Sequence, residues 1–236
     1  YAWIYSGSEL PLHLKLANIW GGDEGTTLLL AAILTSLAGR YHARMGSSQV
    51  TAWLAVWYLA FAAYLTPFAA TSVDWLAEKA SQGMNAHLMN FWMLLHAPLI
   101  FLAYGWVLSL AAPSLDALSG REMRWPAHGL TDARRAWALL TAGIGFGMVW
   151  AFEDSMYGQF WHWDPVQTSI FVIWCALSAH LHGVRGWSTS TRTWRWVPLW
   201  ALMAAIFTAV TMAVTRNEVL ASSHRYAGST SWIAHC

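Results

Sequence analysis

Four histidines carry most of the chemistry this sequence can do. His96 lies in the apolar run MLLHAPLIF, His180 and His182 close another, CALSAHLHGVRG, and His224 follows a third in RNEVLASSHRY. An ionisable side chain inside or beside such a run is costly, and is therefore a functional candidate by default. Each also has an ordinary reading. His96 could hydrogen-bond a carbonyl freed by Pro98, whose missing N–H predicts a kink. His180 and His182 are about 200° apart around a helix, so they cannot share one ligand. His182 shares a face with Phe171, Trp174, Cys175 and Ser178; His180 points away and reads as an interfacial histidine facing water. His224 alone would be an ordinary solvated loop residue. Zinc would need a third or fourth donor that these residues do not convincingly supply. Two neutral imidazoles, His96 and His224, fit the axial pair of a haem iron better.

Between these histidines in sequence stands FWHWDPVQ, Phe160 to Gln167. Trp161 and Trp163 are either part of an interfacial belt or a shelf for a flat ligand. Asp164-Pro165 also reads as a helix start, with Asp as the cap and Pro in the first turn. Glu153 and Asp154 read as decoration of a solvated loop, and GIGFG at 143–147 as close helix packing. The pattern CxxCH is absent, there is no convincing Ser/His/Asp or Cys/His arrangement, and the arginines carry no nucleic-acid signature. Cys175 and Cys236 do not suggest a disulfide.

The elements that must position these residues are membrane helices. The chain is 57% hydrophobic and 11% charged, with 18 Trp, which excludes an ordinary soluble domain. Apolar runs near 24–39, 51–71, 88–112, 136–153, 165–183 and 195–215 predict an all-α bundle of about six spans, one membrane domain over 1–236. The loops after the first, third and fifth runs hold nine of the 13 Lys+Arg. The positive-inside rule puts those loops in the cytoplasm or its organellar equivalent, and both chain ends on the outer, periplasmic face. The Trp-rich loop at 154–167 then lies outside as well.

Several stretches resemble one family. YGQFWHWDPVQTSIFVIWCALSAHLH resembles the Trp-rich segment ending in WxWDP, and the helix after it, of the haem-handling proteins of cytochrome c biogenesis, the WWD-domain superfamily. ELPLHLKLANIWGGDEGTTLLL, NAHLMNFWMLLHAPLIFLAYG and VTRNEVLASSHRYA resemble, in order, further motifs of cytochrome c maturation protein F (CcmF) and its nitrite-reductase-associated relatives. The resemblance implies that His96 and His224 are outer-face haem ligands flanking a floor made by Tyr157, Phe160, Trp161, Trp163 and Asp164. It implies that His182, rather than His180, supports a second, b-type haem whose other ligand comes from a later helix outside this chain. The chain then corresponds to an N-proximal portion of a CcmF-like protein, a split gene product or part of a longer chain.

The activity so implied is cytochrome c haem lyase (synthetase): haem b is held on the outer face while its vinyls add to the CxxCH thiols of apocytochrome c. The substrate's thiolates are the nucleophiles, so the enzyme's task is placement. Implied partners are apocytochrome c, other maturation subunits including one supplying the missing C-terminal helices, and membrane lipid, with no nucleic acid. The membrane is the bacterial inner or the mitochondrial inner membrane. The chain departs from the family at Tyr157 (usually Trp), Gln159 (usually Gly), Gln167 (usually Glu) and Ala97 (usually Pro). These departures keep open an alternative: a non-catalytic haem-binding or structural subunit of a larger respiratory complex. A haem exporter or chaperone that makes no thioethers is a third reading.

Overall fold

The computed structural model describes residues 6–7, 9–45, 49–69, 84, 86–120, 125, 127–154, 158–187, 195–217, 219–220 and 222. His224 and Tyr157 lie outside them. The described secondary structure is all-helical: α1 (Leu12–Ala17), α2 (Asp23–Met45), α3 (Gln49–Tyr64), α4 (Met93–Ser109), α5 (Ala111–Leu118), α6 (Ala127–Glu153), α7 (Pro165–Trp187) and α8 (Trp196–Thr215). Short 3₁₀ turns, Asn18–Trp20 and Ala86–Leu88, precede α2 and α4.

The helix starts follow from local chemistry. Asp23 and Glu24 place negative charge in the first turn of α2, where the helix dipole favours it. Gly25 is required there because a Cβ would stand 1.6 Å from the carbonyl oxygen of Ile19. Asp164 Oδ1 accepts from the backbone N–H groups of Val166 (2.8 Å) and Gln167 (3.3 Å), so it caps α7 as expected, with Pro165 in the first turn. Pro98 lies inside α4 without ending it.

Three helical stretches among the described residues are long and apolar enough to cross a membrane: Met93–Leu118, Gly129–Glu153 and Trp196–Thr215; Gln49–Tyr64 is apolar but shorter. The helices pack as a bundle, α4 along α6, α7 along α8 and α2 along α3, with α2 also on α4, and α6 also on α7. Leu30, Leu34, Ala103, Val107, Leu140, Ile173, Leu177, Ala201 and Ala204 make its centre. The outward faces are apolar too. Trp53, Val56 and Trp57 on α3 are exposed, as are Trp196, Trp200 and Val210 on α8. A helix apolar inside and outside is surrounded by hydrocarbon rather than water, so the chain is a membrane protein of several spans.

Candidate functional site

His96 occupies the second turn of α4, and the structure gives its ring one orientation. Its Nδ1 lies 2.8 Å from the carbonyl oxygen of Gly143 on α6. A carbonyl only accepts, so Nδ1 carries the proton and Nε2 the lone pair. The carbonyl therefore belongs to a neighbouring helix, not to the one freed by Pro98. The ring lies directly on Gly147, where a Cβ would come within 2.7 Å of Cε1 and 2.9 Å of Nδ1. Trp150 meets it edge-on, with centroids 5.7 Å apart. Gly143, Gly147 and Trp150 are spaced i, i+4, i+7, one helix face. The close packing expected of GIGFG is observed, and the same spacing makes the wall on which the His96 ring lies.

Around this seam, indole N–H groups act as cross-links. Trp20 Nε1 donates to Met93 O (3.0 Å), fixing the approach to α2 against the start of α4. Trp92 Nε1 donates to Glu153 Oε2 (2.8 Å), and its ring stacks on Phe146 at 5.3 Å. Trp150 Nε1 donates to His87 O (3.1 Å), while His87 Nδ1 lies 3.0 Å from Asp154 Oδ2. The Asp154 side chain is only 8% exposed. This corrects the reading of Asp154 as decoration of a solvated loop; Glu153 is exposed as expected, though it closes α6 and accepts from Trp92. Both anchor the 3₁₀ turn and the helix start that lead to His96.

The FWHWDP loop crosses the end of α6 and enters α7. Phe160 stacks on Phe152 of α6 at 4.3 Å and 5°. Trp161 and Trp163 meet nearly perpendicular at 5.7 Å, and both set their rings against Phe171. Trp163 and Phe160 are exposed, whereas Trp161 Nε1 is buried with no hydrogen-bond partner among the described residues. Gln167 Oε1 accepts from the backbone N–H of His162 (2.8 Å), closing the loop on the helix. A glutamate oxygen at this position would accept the same bond. The structure thus brings Phe160, Trp161, Trp163 and Asp164 together. It sets His96 against Trp150, which lies two positions from Phe152, so the end of α6 stands between His96 and the shelf.

His182 and His180 lie toward the other end of α7. His182 is exposed, and its Nδ1 lies 2.7 Å from Ser178 O, so here too Nε2 holds the lone pair. Ser178 Oγ accepts from Trp137 Nε1 of α6 (2.9 Å), and Trp174 Nε1 donates back to Thr141 Oγ1 (2.9 Å). The predicted shared face of Phe171, Trp174, Cys175, Ser178 and His182 is the observed one, with Trp137 as an unpredicted neighbour. His180 overturns its expectation. It is fully buried rather than water-facing, with Nδ1 donating to Val197 O of α8 (2.9 Å) and its ring 4.5 Å from Trp125. The packing of α8 against the end of α7 removes the water that Gly183 and Arg185 had suggested.

A second unpredicted feature ties the His96 end together. Arg216, at the end of α8, is fully buried and donates Nε–H to Asp23 Oδ1 at the start of α2. Its other donors reach Thr26 Oγ1 (3.0 Å) and Met212 O (3.2 Å), and Thr27 Oγ1 donates to the same Asp23 oxygen (3.2 Å). This pair fixes where the segment after α8, which leads to His224, leaves the bundle.

The residues present fit haem by their own chemistry. A metal-bound imidazole characteristically donates its other N–H to a carbonyl or carboxylate, as His96 and His182 do. Exposed rings at the shelf suit a flat apolar macrocycle, and the orphaned Trp161 N–H suits a carboxylate such as a propionate. Among the described residues no group of three or more His, Cys, Asp or Glu is placed to hold a bare metal ion.

The chain is similar to cytochrome c-type biogenesis protein CycK of Rhizobium meliloti (strain 1021), 30% identical over 95% of this chain and 35% of that protein. It is 25% identical to cytochrome c-type biogenesis protein CcmF of Haemophilus influenzae, over 94% of this chain and 36% of that protein. It is 29% identical to the probable cytochrome c-type biogenesis protein NrfE of Escherichia coli (strain K12), over 96% of this chain and 43% of that protein. The chain therefore spans between about a third and somewhat under half the length of these relatives, and it matches an N-proximal portion of CcmF. No solved structure matches. The family model for the cytochrome C assembly protein matches residues 20–216, the stretch that holds α2 through α8, the His96 seam and the shelf, and the chain belongs to that family.

Proposed function

We propose that the chain is a haem-handling membrane subunit of a cytochrome c haem lyase, holding haem at the outer end of the bundle for attachment to apocytochrome c. The observation that carries this reading is the bond from His96 Nδ1 to Gly143 O at 2.8 Å, which commits Nε2 to the ligating form. Haem is substrate here. His96 and His224 hold its iron, and the macrocycle reaches past the end of α6, which separates His96 from the shelf, to Trp161, Trp163, Phe160 and Tyr157. Asp164 keeps the shelf in place as the cap of α7.

Thioether formation adds the thiol's sulfur and proton across each vinyl group, so nothing leaves and no enzyme nucleophile is needed. What the chain supplies is position, which is worth several kcal/mol when reacting groups are held in register. The Gln167 bond to His162 supports retained function, because the departure from Glu costs the loop no hydrogen bond. His182 fits a second, b-type haem, since its ring is fixed on an outward face where a ligand from another polypeptide can meet it.

In this reading six helices span a bacterial inner membrane, with the shelf on the periplasmic side. Other maturation subunits complete the bundle. The test is thioether-linked cytochrome in cells. It accumulates with the intact gene, and falls at least about tenfold when His96 or His224 is replaced by Ala. Normal accumulation without the gene overturns the lyase role and leaves the non-catalytic haem-binding or structural subunit. Loss of a bound haem spectrum in the His96→Ala protein separates failed haem binding from failed thioether transfer.

A further inference from the structure

The end of the bundle away from His96 places two arginines at one indole. Arg40, near the close of α2, and Arg135, in the third turn of α6, each hold the guanidinium carbon 5.3 Å from the ring centroid of Trp106 on α4. Because α4 packs on both α2 and α6, the two cations approach the same ring from different helices. Like charges so placed repel unless something offsets them. Buried Asp132 accepts from Arg135 (3.1 Å) and covers part of one charge. Arg40 forms no ion pair among the described residues.

Beside Arg40, the outer seam of α2 and α4 opens into a groove of about 390 Å³ lined by Ala32, Ile33, Ser36, Leu37, Leu102 and Trp106. Ala32, Ser36 and Leu102 are exposed, so the groove faces whatever surrounds the bundle. From Ile33 to Arg40 the helix rises about 10 Å. The shape is an apolar trough that ends at Arg40, with Arg135 at the same Trp106 ring.

We propose that this groove binds one anionic phospholipid, its phosphate on the Arg40 and Arg135 guanidiniums and an acyl chain along Ile33, Leu37 and Leu102. A soluble phosphate would use the cations and leave the trough wetted. An apolar partner helix would fill the trough and leave Arg40 without an anion. An anionic phospholipid satisfies both, and Trp106 suits the boundary between headgroup and chain.

Native mass spectrometry tests this on the full-length polypeptide with its native partners, purified in a neutral detergent and titrated with phosphatidylglycerol or phosphatidylcholine of matched chains. One phosphatidylglycerol is retained in preference to phosphatidylcholine, and excess inorganic phosphate does not displace it. Retention weakens roughly fivefold for each arginine replaced in Arg40→Gln and Arg135→Gln. The haem spectrum stays as in the parent, which keeps this outcome separate from that of the proposed function. Equal retention of the two lipids by the parent chain overturns the site without recourse to a variant. So does displacement by inorganic phosphate, or undiminished retention in the folded double variant.

Discussion

A methyl group at residue 147 would come within 2.7 Å of His96 Cε1, so Gly147→Ala must displace the imidazole or part α4 from α6. Either movement breaks the bond to Gly143 O. The variant is expected to bind outer-face haem at least about tenfold more weakly, in the range that overpacking costs. Gly143→Ala meets Ile100, Cδ1 at 2.6 Å, Cγ1 at 3.1 Å and the backbone N at 3.5 Å, touches no atom of His96 and keeps the carbonyl that accepts from it, so it is expected to weaken haem binding less than Gly147→Ala does. Titration of both variants followed by absorbance checks this; equal affinity for the two would remove His96 from the site. Gln167 offers a second residue-scale test. Gln167→Glu keeps the acceptor for His162 N–H and should leave thermal stability within about 0.5 kcal/mol, whereas Gln167→Leu loses about 1 kcal/mol. At this scale the sequence was informative where chemistry is local, as at Asp164, whose capping role depends on the next few residues. It misled at His180, because burial under α8 is not visible in the neighbours of a helix end.

Among elements, the Asp23–Arg216 pair joins the first turn of α2 to the end of α8 across 193 residues of chain. No local pattern announces such a partner. Removing one member of a buried pair strands a charge. Arg216→Met alone is expected to cost about 3–5 kcal/mol, while the double variant with Asp23→Asn recovers most of the loss. Melts of the four proteins in detergent form the cycle, and additive losses would show that the two residues do not interact. The tryptophans follow the same logic. Interfacial belt and ligand shelf are not the only uses of tryptophan here: Trp20, Trp92, Trp137, Trp150 and Trp174 each donate to an acceptor on another element. Residue type fixed their abundance in the sequence, but only the packing of α4, α6 and α7 selects the acceptors.

For the whole molecule, the helical class and the placement of the shelf before α7 were legible because apolar runs and the FWHWDP cap are local signals. The number of spans was less so. Polar and charged residues within Asp23–Met45 and Pro165–Trp187 leave those helices outside the set that is long and apolar enough by itself. Topology has a direct readout. In a background lacking Cys175 and Cys236, Gln159→Cys should react with a membrane-impermeant maleimide from the outer face and Ser119→Cys should not. The reverse pattern would invert the orientation and place the shelf on the wrong side for the proposed function.

The central claim is that His96 ligates haem at the shelf end independently of His182, and the visible spectrum of the purified polypeptide with its native partners tests it most directly. The parent should show bands from both haems, His96→Ala should lose the outer-face component and keep the His182-dependent one, and His182→Ala should do the converse. A folded His96→Ala protein with the parent's spectrum, or a parent without any haem band, would contradict the account.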